Sequence, residues 1–318
     1  MAFVPHAGER AVQVRAGESD MAARVARGIT REIPAPAAAF LAGQPMIVVA
    51  ARDDDGAVWC SLLTGAPGFA RAADERTVEV DASPSPGDPL ATVLGRTGTP
   101  VGLLAIEPAT RRRMRVNGRT RARVARAGVA GVDRSGAAGP AVPGLIVGTE
   151  EVYANCPKYI SRRSVVGVHP DRTGSGAPAM GHALTGEDRA QVASADAFFV
   201  ASTHADTGAD ASHRGGRPGF VTVHDDRTLS FPDYTGNALF MTLGNLASDP
   251  HVGLLFPDWR TGDLLFVSGT AAIDWSPERA AAHPGAQRVV DVRVERTVRL
   301  PGASPLRWGP PELSRFDP

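Results

Sequence analysis

The chain has 318 residues, 43% of them hydrophobic, and equal numbers of acidic and basic side chains. That length suits about two domains with ordinary cores, and a net charge of zero gives no general attraction to nucleic acid or anionic membrane. Two cysteines, Cys60 and Cys156, are too few for a disulfide framework or a cysteine zinc site.

No apolar run approaches the ~18 residues that a membrane helix needs, and the first twenty residues lack an apolar signal core. The expectation is a cytoplasmic protein without a membrane partner. Taken in order, residues 19–33 predict a short helix capped by Ser19, with Ala22, Val25, Ile29 and Ile33 as its apolar stripe. Pro34 and Pro36 end it. A second short helix over 37–42 leads into a buried strand at 46–50. Asp53-Asp54-Asp55-Gly56 reads as a hairpin turn.

Residues 111–126 hold eight arginines. Arg111, Arg113, Arg115, Arg119, Arg121 and Arg123 alternate, with Met114, Val116 and Val124 on the other face, which predicts a strand with a solvated basic side. Nucleic-acid binding is the sharper reading, which the neutral net charge disfavours; an anionic substrate or cofactor is a third. Residues 127–144 are small, Gly- and Pro-rich, and predict a mobile loop. A strand at 145–152 precedes the cluster Tyr153-Ala-Asn-Cys-Pro-Lys-Tyr-Ile160. Cys156 beside Lys158 is either a reactive thiol or a buried one before a rigid Pro157.

Residues 168–184 predict a linker or crossover. Thr185-Gly-Glu-Asp188 predicts a capping box before a helix to about Ala195. Then comes SHRGGRPGF at 212–220. Arg214 is a planar fork of donors suited to phosphate, and Gly215, Gly216 and Gly219 let the backbone bend closely. Residues 220–223, 225–226 and 229–231 read as strand, turn, strand. Gly236-Asn237 opens a helical pattern of Leu239, Phe240, Leu243 and Leu246, and a helix start can hold a phosphate. One arginine and one helix start fit an ordinary surface turn equally well. Strands follow at 252–256 and 264–268, a short helix at 277–282 and an alternating strand at 289–298. No HExxH, GxSxG or Walker A pattern occurs.

An internal repeat organises the chain. At an offset of 151 positions, residues 40–118 overlie 191–269 without a gap. Pro67-Gly68-Phe69 falls on Pro218-Gly219-Phe220, and Val101-Gly102-Leu103-Leu104 on Val252-Gly253-Leu254-Leu255. Two copies are too few for a solenoid, so this is a domain duplication. The copies differ chemically. Opposite His213 and Arg214 stand Leu62 and Leu63; opposite Gly236 and Asn237 stand Ser85 and Pro86. Either the second copy alone keeps a binding site or both are structural.

The SHRGG, PGF, PDYTGN and TLGN groups, in that order within 185–316, resemble the FMN-binding split barrel of the pyridoxamine 5'-phosphate oxidase family, in its oxidase-related branch. The NCPKYI cluster adds to the likeness. The resemblance implies a mainly β fold of two tandem Greek-key split barrels forming an intrachain pseudo-dimer: residues 1–160 a degenerate first barrel, 161–190 linker and entry helix, 191–318 the cofactor-binding barrel. It implies an FMN-dependent oxidoreductase with a small-molecule substrate or an electron donor such as NAD(P)H. A non-catalytic flavin carrier, or a barrel for F420 or heme, are the alternatives. Arg214, Gly236 and Asn237 would hold the phosphate, with Ser212, His213, Asp233, Tyr234, Thr242 and Asn245 lining the site. Lys158 and Tyr159 would reach it across the pseudo-dimer interface, and Trp308 would cover either the flavin or merely the barrel end.

Overall fold

The computed structural model describes residues 3–122, 144–154, 157–169 and 176–318. Arg123, Val124, most of the expected 127–144 loop, Asn155 and Cys156 lie outside them. Two β-sheets dominate. The first contains β1 (Met46–Arg52), β2 (Val58–Thr64), β3 (Ala70–Asp74), β4 (Thr77–Val80), β5 (Pro100–Glu107), β6 (Arg112–Thr120) and β7 (Leu145–Ala154). A short β8 (Val165–Val168) and β9 (Ala179–Gly181) follow. The second sheet contains β10 (Ala197–His204), β11 (Gly208–Gly215), β12 (Thr222–Val223), β13 (Thr228–Tyr234), β14 (His251–Pro257), β15 (Leu264–Asp274) and β16 (Ala286–Leu300). A last strand, β17 (Leu306–Trp308), pairs with β8.

The strand order is β2-β1-β5-β6-β7-β4-β3 in one sheet and β11-β10-β14-β15-β16-β13-β12 in the other. These are the same topology at equivalent positions, as expected for tandem split barrels. Details repeat with it. Each sheet bulges at an equivalent point, Asn117/Gly118 and Ser268/Gly269. The Pro-Gly-Phe turns put both Gly68 and Gly219 at positive φ, 96° and 91°, where a side chain would be strained.

The two units meet across a pseudo-two-fold axis. A Cβ on Gly102 of β5 would lie 2.7 Å from the Ala209 carbonyl of β11, and one on Gly253 of β14 would lie 2.6 Å from that of Val58 on β2. Gly102 and Gly253 are equivalent positions, as are Val58 and Ala209, so the contact is reciprocal. Arg52 donates to Thr203, its own equivalent, at 2.6 Å, which puts that pair on the axis. One apolar core runs from the first unit into the interface and includes Phe199, Leu264 and Phe266 of the second. A separate core fills the second unit around Phe198, Phe231 and Phe256.

Among the described residues, six α-helices flank the sheets. Helix α1 (Ala7–Ala16), which the sequence reading lacked, is closed by a His6–Glu9 capping box. It packs on α5 (Met241–Ser248) of the second unit, although it lies in the segment expected to belong to the first. Helix α2 (Ser19–Ala26) is shorter than the expected 19–33, and Ser19 is its first helical residue with Glu18 at the cap. Helix α3 (Ala35–Ala42) runs into β1. Thr185 caps α4 (Gly186–Ser194) through its box with Asp188. Helix α6 (Pro277–Ala281) precedes β16. No helix among the described residues is long and apolar enough to cross a membrane.

Candidate functional site

The alternation of β11 sorts its side chains. Asp210, Ser212 and Arg214 share one face, and His213 takes the other. Ser212 and Arg214 face a small pocket whose floor is the loop before α5, and Arg115, Asp233, Tyr234, Gly236, Asn237 and Thr242 line it as well. Helix α5 starts at Met241, four residues later than Gly236-Asn237 had suggested. Ala238 and Phe240 sit at positive φ, 63° and 56°, and break the expected first turn. Phe240 is the N-cap and supplies no side-chain acceptor, so the helix start presents its N–H groups to the pocket.

The charges come from both units. Arg214 lies 3.3 Å from Asp233, and Arg288 of β16 lies 3.5 Å from the other oxygen of that carboxylate. Arg115 of β6 crosses the interface, pairs with Asp210 at 2.9 Å, and donates to Ser212 Oγ at 2.6 Å. Thr242 donates to Asp210 at 3.1 Å. Burial works against the Arg115 charge, and Asp210 and Tyr153 more than restore it. Burial pushes the Asp233 carboxyl up, opposed by Arg214 and Arg288, and pushes Arg214 down, opposed by Asp233.

These pairs leave donors over. The Nε atoms of Arg115 and Arg214, and Nη1 of Arg288, are buried without hydrogen-bond partners. Three guanidiniums are paired with two buried carboxylates, Asp210 and Asp233, and Glu18 also acts on Arg288. Orphan donors and an uncapped helix start together suit a bound anion. The space beside Gly236 is open: a Cβ there would meet only the Tyr234 carbonyl, at 4.0 Å. The space at the floor is about 60 Å³, the scale of a phosphate group and not of a ring system.

The other expected residues divide. Tyr159 reaches the site from before β8. Its ring stacks on Tyr234 at 5.0 Å and its hydroxyl donates to the Thr235 carbonyl at 3.2 Å. Its neighbour Lys158 instead lies over the Phe316 ring. His213 is buried on the opposite face of β11, edge-on to Phe199. Burial, then Arg113, holds its imidazole well below the usual range, so it is neutral. Asn245 points away from the pocket and bridges His6 and Ser202, both at 3.0 Å. Trp308 packs edge-to-face on Trp259 in the first core and does not line the pocket.

The sequence reading missed Arg115, Asp210 and Arg288 as site residues. It put Arg113 and Arg115 on a solvated basic face, whereas Arg115 is buried against the second unit and Arg113 comes within 3.4 Å of His213 Nδ1. The signal was in the repeat: at the same offset Arg113 and Arg115 fall on Leu264 and Phe266, so this stretch of β6 carries something its copy lacks.

Residues 184–298 match the family described as pyridoxamine 5'-phosphate oxidase. This segment belongs to the pyridoxamine 5'-phosphate oxidase-like split-barrel family. The family segment contains Arg214, Asp233, α5 and Arg288; Arg115 and Tyr159 lie outside it. No curated protein matches the chain. Among solved structures, it is similar to HupZ of Group A Streptococcus, with 18% identity over 38% of this chain and 98% of that one, TM-score 0.32. A putative pyridoxamine 5'-phosphate oxidase from Lactobacillus delbrueckii is 20% identical over 36% and 93%, TM-score 0.29. An FAD-binding protein from Mycobacterium smegmatis is 16% identical over 38% and 99%, TM-score 0.28.

Proposed function

We propose that the chain is an FMN-dependent oxidoreductase with one cofactor site, in the second unit and completed by the first. The observation that carries this reading is the meeting of Arg214, Arg115 and the uncapped start of α5 around buried, unpaired N–H donors, within a segment of this family.

Arg214 and the first N–H groups of α5 hold the phosphate. Asp233, fixed by Arg288, aims the Arg214 guanidinium. Arg115, held by Asp210, closes the site from the first unit and keeps water from the pocket. The Tyr159–Tyr234 stack forms the outer wall, and burial pushes the Tyr234 hydroxyl up to about 12, so it stays protonated at neutral pH. Flavin, when bound, supplies the redox chemistry, and the protein binds, orients and shields it.

A charge-assisted hydrogen bond contributes roughly 1.5–3 kcal/mol, about one to two decades of affinity. Arg214→Leu, which copies Leu63 of the first unit, is expected to weaken FMN by that much. Riboflavin, which lacks the phosphate, should bind both proteins alike. Flavin-fluorescence titration of both ligands against both proteins decides it: unchanged FMN affinity removes Arg214 from the site, and an equal loss for riboflavin assigns it to the ring or the fold.

A further inference from the structure

Helix α1 lies against α5, the helix whose start faces the cofactor pocket. The two backbones approach closely. A Cβ on Gly8 would lie 2.3 Å from the Gly244 carbonyl, and one on Gly244 would lie 2.5 Å from the Glu9 side chain, so both sides need glycine. Gln13 Nε2 donates to the Leu239 carbonyl at 3.0 Å. Leu239 stands between Ala238 and Phe240, the left-handed residues that set where α5 begins. Helix α1 thus braces the loop that presents the α5 N–H groups to the pocket.

The seat under α1 is acidic. Glu9 of α1, Glu151 of β7 and Asp210 of β11 line one small space with Asn117 of β6 and Asn245 of α5. It measures about 10 Å³, the size of a single water. Three cations do not match these three carboxyls. Asp210 is paired with Arg115. Glu151 accepts from Asn117 at 2.9 Å. Glu9 accepts from the His6 backbone N–H at 2.8 Å, and its ion-pair contact is His6 Nε2 at 3.7 Å. Burial, then His204, holds that imidazole down at about 4, so it is uncharged at neutral pH; Asp206, in the turn after β10, opposes this only weakly. Arg10 turns away and donates to the Pro5 carbonyl. Helix α5 has no titratable side chain, and Asp20 and Arg24 of α2 are exposed. No group of His, Cys, Asp and Glu among the described residues is arranged to hold a metal ion. Protons are left to neutralise the seat, and Asn117 Oδ1, buried without a partner, is an acceptor for one.

Burial, with the Glu151 and Asp210 charges, pushes the Glu9 carboxyl from 4.5 up to about 8, and burial pushes Glu151 up to about 7. Lifted into water with α1, Glu9 would return towards its ordinary value. Between the two values seated Glu9 keeps a proton that released Glu9 has lost. Seating is therefore strongest at about pH 4.5 and below and weakens as pH rises to about 8, by up to about tenfold per pH unit.

We propose that α1 is a proton-held latch on the cofactor pocket: it seats on α5 while Glu9 carries its proton, and a rise in pH releases it and loosens the loop and helix start that hold the phosphate. As regulation of cofactor binding this rests on the flavin reading above; as a pH-dependent release of α1 it does not.

The test follows hydrogen exchange and FMN affinity of the full chain at about pH 5.5 and about pH 8.5. Exchange is expressed as protection factors, which remove its intrinsic pH dependence. In the wild type, protection of α1 should fall at least about tenfold between the two, while that of α4 changes less than about twofold. In Glu9→Gln, which keeps the acceptor and cannot ionise, α1 should stay protected. Fluorescence titration should show FMN affinity of the wild type, relative to Glu9→Gln, falling about tenfold over the same range; the ratio cancels the titration of the FMN phosphate itself. Gln13→Ala should weaken FMN about two- to tenfold at the lower pH, where the latch is seated, and not at the higher. Should Glu9→Gln not fold, Glu151→Gln, which removes an opposing charge, should at least halve the loss of α1 protection. The same pH course of α1 protection in the wild type and the Gln variant, a loss shared by α4, or an FMN affinity that does not follow α1 would each overturn the proposal. Release of α1 as expected in a protein that binds no FMN at either pH would leave that release standing and remove the flavin reading.

Discussion

The two ends of the interface occupy equivalent places and have opposite chemistry. On the second unit's side, β11 offers Asp210, Ser212 and Arg214, and β6 reaches across with Arg115. On the first unit's side the equivalents are Trp59, Ser61 and Leu63, met by Phe266 in place of Arg115. Trp59, Leu63 and Phe266 are buried in one continuous apolar core. Thus both halves of the second place changed together: the strand that would bind and the strand that would reach across. A buried arginine needs a partner and a buried leucine does not, so losing one polar member favours losing the others. The duplication kept the backbone topology twice, with a buried arginine–carboxylate pair at one end and, among the described residues, only the Ser61–Asp88 hydrogen bond amid apolar side chains at the other.

The largest test of that contrast is the buried pair. Arg115→Leu leaves Asp210 without its main counter-charge and is expected to destabilise the chain by about 3–5 kcal/mol. The double variant Arg115→Leu/Asp210→Leu, which makes this end apolar like the other, should recover most of the loss. Urea unfolding of the three proteins measures it. If the double variant is no better than the single, the polar end is not an exchangeable counterpart of the apolar one.

A second asymmetry is α1, which covers α5, whereas the corresponding stretch of the first unit is made of turns. Glu9 is buried under that cover, and burial pushes its carboxyl from 4.5 up to about 8. Between those values the unfolded chain has released a proton that the folded chain keeps. Stability is therefore expected to fall as pH rises from about 4.5 to about 8, by up to ~1.4 kcal/mol per unit from this group. Glu9→Gln keeps an acceptor for the His6 N–H and should flatten that slope. Thermal melts across this range check it, and an unchanged slope would show that Glu9 ionises freely.

The smallest effect concerns what the ends still share. Gly102→Ala and Gly253→Ala each force a Cβ against a backbone carbonyl of the facing strand. Each should cost roughly 1–3 kcal/mol by overpacking, and the two costs should be close. Denaturant midpoints of the single variants measure this. Strongly unequal losses would mean that the interface is not symmetric in packing even though it is in topology.

Much of the fold was legible because strand patterning and turn residues are local signals. The offset of 151 predicted a duplication, and the strand order repeats. The capping box at Thr185 and the short helices at 37–42 and 277–282 follow from capping and breaker residues alone. Helix α5 was misplaced because periodicity from Leu239 onward does not show that Ala238 and Phe240 adopt positive φ. Helix α1 carries buried Glu9 and Gln13 on its inner side, so no apolar stripe announced it.

The sequence by itself determined the tandem barrels and the contrast between Arg214 in one unit and Leu63 in the other. It also marked β6 as basic. Only the tertiary structure decided that Arg115 is buried in the other unit's site, that Asp210 holds it there, and that Asn245 and Trp308 face elsewhere. The reason is physical. A strand's alternation says which side chains share a face, but what that face meets depends on a packing partner a hundred residues away, and a single bulge or left-handed residue redirects everything beyond it.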